Sequence, residues 1–221
     1  LMAAWIFFGD DTASSTEIER ERVSFRINQA LSRLGNGWMI HVDAKGRLWV
    51  GTNSGLVCVD RDWETTYTVK NGLANDVVLA CYEDPRTGDL WFGTNGGLHR
   101  FRNGTFTCYS TAAGLFDSTA FQIRMDTAGT LWMTCNKGIY AVPKQAFDDF
   151  DAKRISRLPC QVFGKGDGMR ASQCNGATQP SGWTAHDGRI YFPTIRGLVV
   201  IDPHHIPTNQ LPPPVAVTKV I

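Results

Sequence analysis

Four stretches of this chain repeat one phrase, a large aromatic residue followed at once by a tight turn. Gly46-Arg47-Leu48-Trp49-Val50-Gly51-Thr52-Asn53-Ser54-Gly55-Leu56 returns as Gly88-Asp89-Leu90-Trp91-Phe92-Gly93-Thr94-Asn95-Gly96-Gly97-Leu98. It returns again as Gly129-Thr130-Leu131-Trp132-Met133-Thr134-Cys135-Asn136-Lys137-Gly138-Ile139, and in altered form as Gly188-Arg189-Ile190-Tyr191-Phe192-Pro193-Thr194-Ile195-Arg196-Gly197-Leu198. The aromatic residues stand 42, 41 and 59 positions apart. A unit of this length, rich in strand-forming residues, cannot bury both of its faces alone and must stack on a neighbour. The period predicts propeller blades.

One repeat parses into one blade. Val77–Glu83 is an apolar β-rich run, Asp84–Gly88 a turn, and Asp89–Thr94 a second strand. Asn95-Gly96-Gly97 turns the chain, with Asn and Gly expected to supply positive φ. Leu98–Arg102, the Asn103-Gly104 hairpin and Thr105–Tyr109 complete four antiparallel strands. The same reading gives strands near 38–43, 47–52, 55–60 and 65–69 before it, and 119–126, 130–135 and 138–142 after it. The recurrent Trp is expected to fill the space between blades. Asp43 and Asp126, three residues ahead of Gly46 and Gly129, suit a type I turn. Residues 143–159 form an insertion with a helical turn or two near Lys144–Phe150, and Cys160–Phe163 supplies a delayed fourth strand. A last blade uses Thr184–Asp187, Arg189–Thr194 and Gly197–Asp202. A Pro-rich exit and terminal strand follow over 206–221. Residues 1–37 lie outside the repeat. Trp5–Phe8 and Val23–Ile27 look like strands, and one could complete the last blade and so remove an exposed edge.

The fold class is therefore all-β, a propeller array of about four four-stranded blades, closed by itself, completed by a second copy, or part of a larger ring. The first residue is not Met, which fits a processed or excised segment. The net charge of +1 and the absence of a basic cluster argue against nucleic acid. No apolar run approaches the roughly 18 residues of a membrane span. The six cysteines show no metal-binding or redox spacing. Four fall in strands, where a free thiol acts as a small apolar group. Cys160 and Cys174 flank a loop and could bridge in an oxidising compartment.

These motifs resemble the two-component regulator propeller repeat. In that family a Gly-Leu…Asn…Val phrase, here Gly72-Leu73-Ala74-Asn75-Asp76-Val77 and in shortened form Gly114-Leu115, precedes each Asp-x-x-Gly-x-Leu-Trp-x-Gly-Thr…Gly-Leu phrase. The run Asp187–Asp202-Pro203 is similar to the family's last blade, after which the chain passes through prolines into a small β-sandwich. The likeness covers residues 38–205. It implies a periplasmic or otherwise extracytoplasmic sensor module, attached to the remainder of a membrane receptor that delivers the signal.

A ligand is expected where strand-two-to-three turns and first-strand entries share one end of the blades. That face carries Thr52, Asn53, Asn75, Asp76, Thr94, Asn95, Asn136, Lys137, Asn175 and Arg196, with Thr134 and Arg170 nearby. Loops on a rigid scaffold concentrate binding residues. Amides, hydroxyls and a few cations suit a small polar ligand such as an oligosaccharide. The competing reading is that Asn and Thr serve the turns alone. No cofactor or metal is implied. A glycosidase would need two converging carboxylates, whereas the acidic residues sit at turns or in the 148–151 cluster. His99 is expected to face solvent or a neighbouring blade. A non-catalytic sensor is favoured over a protein-interaction scaffold, and both over a propeller glycosidase or lyase.

Overall fold

A computed structural model describes residues 28–29, 31–60, 63–176 and 180–206. The strands expected at Trp5–Phe8 and Val23–Ile27 and the exit over 207–221 lie outside the described residues. Blade one contains β1 (Gly37–Val42), β2 (Leu48–Thr52), β3 (Leu56–Asp60) and β4 (Trp63–Tyr67). Blade two contains β5 (Val78–Glu83), β6 (Leu90–Thr94), β7 (Leu98–Arg102) and β8 (Thr105–Tyr109). Blade three contains β9 (Gln122–Met125), β10 (Thr130–Cys135), β11 (Gly138–Pro143) and β12 (Gln161–Phe163). Blade four presents β13 (Trp183–Thr184), β14 (Ile190–Thr194) and β15 (Gly197–Ile201). Every sheet is an antiparallel meander in chain order. The first strands of blades one, two and three contact one another in turn, and blade four packs on blade three around Trp132, so the four blades fan about the side where the first strands lie, the channel side of a propeller.

Each repeat Trp does what its size demands. Trp49, Trp91 and Trp132 are buried. Trp49 lies 5.2 Å from Phe92 and 5.1 Å from Phe101 of blade two, and Trp132 joins Ile190 and Phe192 of blade four in one cluster. The Asp before each turn does more than turn the chain. Gly46 N donates to Asp43 O at 2.8 Å and Gly129 N to Asp126 O at 3.1 Å, as the turn requires. The carboxylates then accept the Trp49 and Trp132 indole N–H groups, each at 2.9 Å. One side chain therefore closes the hairpin and satisfies a buried donor that would otherwise cost free energy. Blade two carries one more residue between Asp84 and Trp91, so Asp84 takes Lys144 and Thr87 instead. Blade four replaces the pair: Ala185 accepts from Gly188 N at 3.0 Å and Tyr191 has no indole to satisfy.

The insertion after β11 is the helix Lys144–Asp151. Its Phe147 is buried 4.9 Å from Trp91 and 4.8 Å from Tyr109. Its acidic residues dock on blade two. Buried Arg100 donates to Asp89 at 3.0 Å and Asp148 at 2.7 Å, with its guanidinium 5.1 Å from the Trp91 ring. Tyr109 Oη donates to Asp151 at 2.7 Å. The 148–151 cluster is thus a clamp between blades. All six cysteines are free, Cys160 and Cys174 included.

Replacing Arg100 by Ala removes the buried guanidinium that joins Asp89 to Asp148 and leaves Asp89 only the half-exposed Arg102 as partner, and should cost about 3 kcal/mol in urea unfolding. Arg102 reaches the same carboxylates from a half-exposed position, so Arg102→Ala should cost about 1 kcal/mol or less.

Candidate functional site

The turn-face residues divide into those consumed by the fold and those left over. Thr52 and Thr94 are buried. Their hydroxyls donate to Gly55 O and Gly97 O, each at 2.8 Å, and accept from Ser54 N and Gly96 N, each at 3.0 Å. Thr194 repeats the contact to Gly197 O at 2.9 Å. In blade three the position belongs to Cys135, whose Sγ accepts from Lys137 N at 3.3 Å, so the assignment of Thr134 to this turn set is corrected. Thr134 instead stands where blades one and two have Gly51 and Gly93, against which the next blade's backbone packs. Asn75 Oδ1 accepts from Val77 N at 2.9 Å and Asp76 Oδ1 from Val69 N at 2.7 Å. Those two side chains shape the entry loop. Lys137 is paired with Asp117 at 2.9 Å.

Asn53, Asn95 and Asn136 are exposed, and their side-chain amides make no hydrogen bond to described residues. The turn chemistry predicts positive φ at Asn95, but the left-handed positions of these turns are Gly55, Gly97, Gly138 and Gly197. The Thr hydroxyl and the Gly hold the turn, so neither backbone strain nor hydrogen bonding requires an amide there. Asn175 and Arg196 are also exposed, and their backbone N–H groups donate to Pro193 O and the Thr194 hydroxyl. His99 is buried rather than facing solvent. Its Nε2 accepts Ala74 N at 2.8 Å and fixes the loop that carries Asn75.

A second feature has no counterpart in the sequence motifs. A cleft of about 470 Å³ opens into the channel at the opposite end, lined by His41, Ala44, Tyr82, Glu83, Gln122 and Arg124. His41 Nε2 meets Glu83 Oε2 at 3.0 Å, and Ala44 N donates to Glu83 Oε1 at 3.0 Å. Arg124 donates to Gly182 O at 3.2 Å through Nε, and burial draws its pKa down. His41, Tyr82 and Arg124 each pair with the repeat Trp of their own blade. Register counted from the Trp is the signal that could have found them.

Residues 1–50 match the N-terminal domain family of the type IV secretion system ATPase VirB4/TrbE. Over 44 residues the chain is 61% identical to the conjugal transfer protein TrbE of Rhizobium radiobacter, which is 20% of this chain and 5% of that protein. It is 57% identical over 44 residues to a probable conjugal transfer protein, the first portion of TrbE, of Sinorhizobium fredii, covering 30% of it. The match runs through β1 and into β2, so residues 37–50 fold as propeller within a stretch that resembles another family. Among solved structures, the chain is similar to the extracellular domain of a putative hybrid two-component system from Bacteroides thetaiotaomicron. The TM-score is 0.64 at 21% identity, over 78% of this chain and 25% of that one. A second such domain from that organism gives 0.52 at 19%, over 76% and 28%. Virginiamycin B lyase from Staphylococcus aureus gives 0.51 at 15%, over 73% and 54%. At these identities the likeness is one of fold, the propeller implied by the repeat. The chain spans about a quarter of the two-component domains it resembles.

Burial drives the His99 pKa down from 6.5 to about 4, so the folded protein holds it neutral where the unfolded chain binds a proton. Stability should rise with pH between about 4 and 6.5, by roughly 3 kcal/mol at 1.36 kcal/mol per pKa unit. Urea midpoints across that range should climb, and His99→Gln should flatten the climb.

Proposed function

We propose that the propeller is the non-catalytic sensing portion of a membrane signalling receptor of the two-component regulator type, held on the extracytoplasmic side. It binds a small polar ligand, such as an oligosaccharide, across the turn face. The reading rests on one observation: exposed amides recur at one position in three successive blades, Asn53, Asn95 and Asn136, and none is hydrogen-bonded to a described residue. A row of amides on a rigid scaffold presents donors and acceptors at regular intervals, as a chain of hydroxyls requires. Arg196 and Asn175 extend the row onto blade four, Arg196 adding a cation for a carboxylated sugar. The fold relationship to extracellular two-component domains supports the cellular side and the sensing role. The likeness of residues 1–50 to a secretion ATPase domain covers so little of those relatives that no ATPase role is drawn from it.

Calorimetry against a panel of neutral and acidic oligosaccharides tests the proposal. A bound member should lose about tenfold in affinity with Asn95→Ala or Asn136→Ala, the equivalent of one hydrogen bond of about 1.4 kcal/mol. Undiminished binding by the double variant would move the site to the channel cleft, where Arg124→Ala should then abolish it.

A further inference from the structure

Arg47, Arg100 and Arg189 each rest on an aspartate of their own blade. Arg124 is held differently. It stands in β9 opposite Trp132 of β10, and its Nε and Nη2 both donate to Gly182 O at the approach to blade four, Nε at 3.2 Å. A guanidinium carries five N–H donors in a fixed planar fork. Nε and Nη2 converge on one carbonyl, so the edge formed by Nη1 and Nη2 points away from it. That edge can fork onto a carboxylate through two parallel hydrogen bonds. A neutral carbonyl also leaves the positive charge uncompensated. Burial draws the Arg124 pKa down, with the Tyr82 phenol as the neighbour that opposes the shift, and an anion beside it would favour the charged form.

Arg124 borders the channel cleft, whose volume of about 470 Å³ falls in the range of small-molecule sites. Its walls come from successive blades: His41 from blade one, Tyr82 and Glu83 from blade two, Gln122 and Arg124 from blade three. The acidic groups in these walls already hold donors of the protein. Glu83 meets His41 Nε2 at 3.0 Å and accepts Ala44 N at 3.0 and 3.1 Å. Asp84 is buried and accepts Arg86 N, the Thr87 hydroxyl and Lys144. The remaining groups are of donor character. Gln122 spends Oε1 on Ile123 N at 3.0 Å, so the other half of its amide is a donor. Burial pushes the Tyr82 pKa up, which keeps the phenol protonated and able to donate. Cation, amide and phenol thus border one cleft, with the carboxylates of the same cleft held by other groups.

We infer that the channel cleft is a second binding site, at the opposite end from the turn face and independent of it, for a small hydroxylated monocarboxylate of sugar-acid size. The ligand carboxylate lies on the Nη1–Nη2 edge of Arg124, where Tyr82 and Gln122 add single donors. Its hydroxyl groups reach towards Glu83, whose oxygens retain acceptor capacity beside His41 and Ala44 N. The charge balance selects one negative charge rather than two. A monoanion matches the single guanidinium, whereas a dianion such as phosphate would set its second charge against Glu83 and Asp84 in the same walls. The planar carboxylate also suits the planar fork better than a tetrahedral group does. Because the walls belong to separate blades, the ligand would bridge sheets that otherwise meet only through their packed faces.

Calorimetry on the full chain tests this, with D-gluconate as the probe and D-glucitol, its uncharged counterpart, and inorganic phosphate as controls. D-gluconate should bind saturably at concentrations up to about 10 mM, D-glucitol should not bind, and phosphate should bind more weakly. Arg124→Lys keeps the charge and removes the fork, so it should weaken D-gluconate binding about tenfold with an unchanged circular dichroism spectrum. A D-gluconate titration without saturable heat overturns the inference, and so does equal affinity for phosphate or D-glucitol. Binding that Arg124→Lys leaves intact also overturns it, because the ligand then lies elsewhere, the turn face included. Should Arg124→Lys not fold, Tyr82→Phe removes a single hydroxyl and should weaken binding about fivefold; undiminished binding by that variant overturns the inference alone.

Discussion

The contact between the Trp of each of the first three blades and the blade behind it carries the rest of the architecture. An indole fills the gap between two diverging sheets with a large apolar area, but leaving its N–H unpaired inside that gap costs free energy. Asp43 and Asp126 pair it while closing the hairpin six residues upstream. Burial alone would raise the Asp43 pKa, yet the bonds from Trp49 and Arg47 outweigh it and hold the carboxyl below its usual 3.8. Turn, strand and interface are thereby tied to one side chain, which is why the phrase recurs as a unit rather than as scattered apolar positions. Where the spacing slips by one residue, as at Asp84, the insertion supplies Lys144 to that carboxylate and Asp148 to the buried Arg100 over the Trp91 ring, and the Trp91 indole N–H has no partner among the described residues.

The same economy separates structural from available residues on the turn face. A Thr hydroxyl can donate to a carbonyl and accept from an amide at once, so Thr52 and Thr94 complete their turns unaided. Glycine takes the left-handed position. The Asn53 and Asn95 side chains make no hydrogen bond to the described residues, an observation that composition could not make because Asn is equally common in turns that do need it.

Residues 37–50 show how permissive the blade is towards its first strand. They lie within a stretch matched to the VirB4/TrbE N-terminal family, yet β1 pairs with β2 along its length and places Met39 in the core. A first strand needs a few alternating apolar side chains and free backbone groups, and many sequences satisfy both.

The repeat in the sequence determined the propeller, the strand boundaries to within about three residues, the hairpin at Asn103-Gly104, the helical insertion and its delayed strand. Each is local, set by turn chemistry, strand alternation and a period that recurs. Only the tertiary structure decided which polar groups were spent. His99 and Arg100 look alike in the sequence as polar residues in one strand, but the first accepts a loop amide and the second anchors a helix 48 residues away. The channel cleft was likewise invisible, because it is defined by residues from different blades. Such relations depend on distances between blades, and a linear pattern carries no distance beyond its own period.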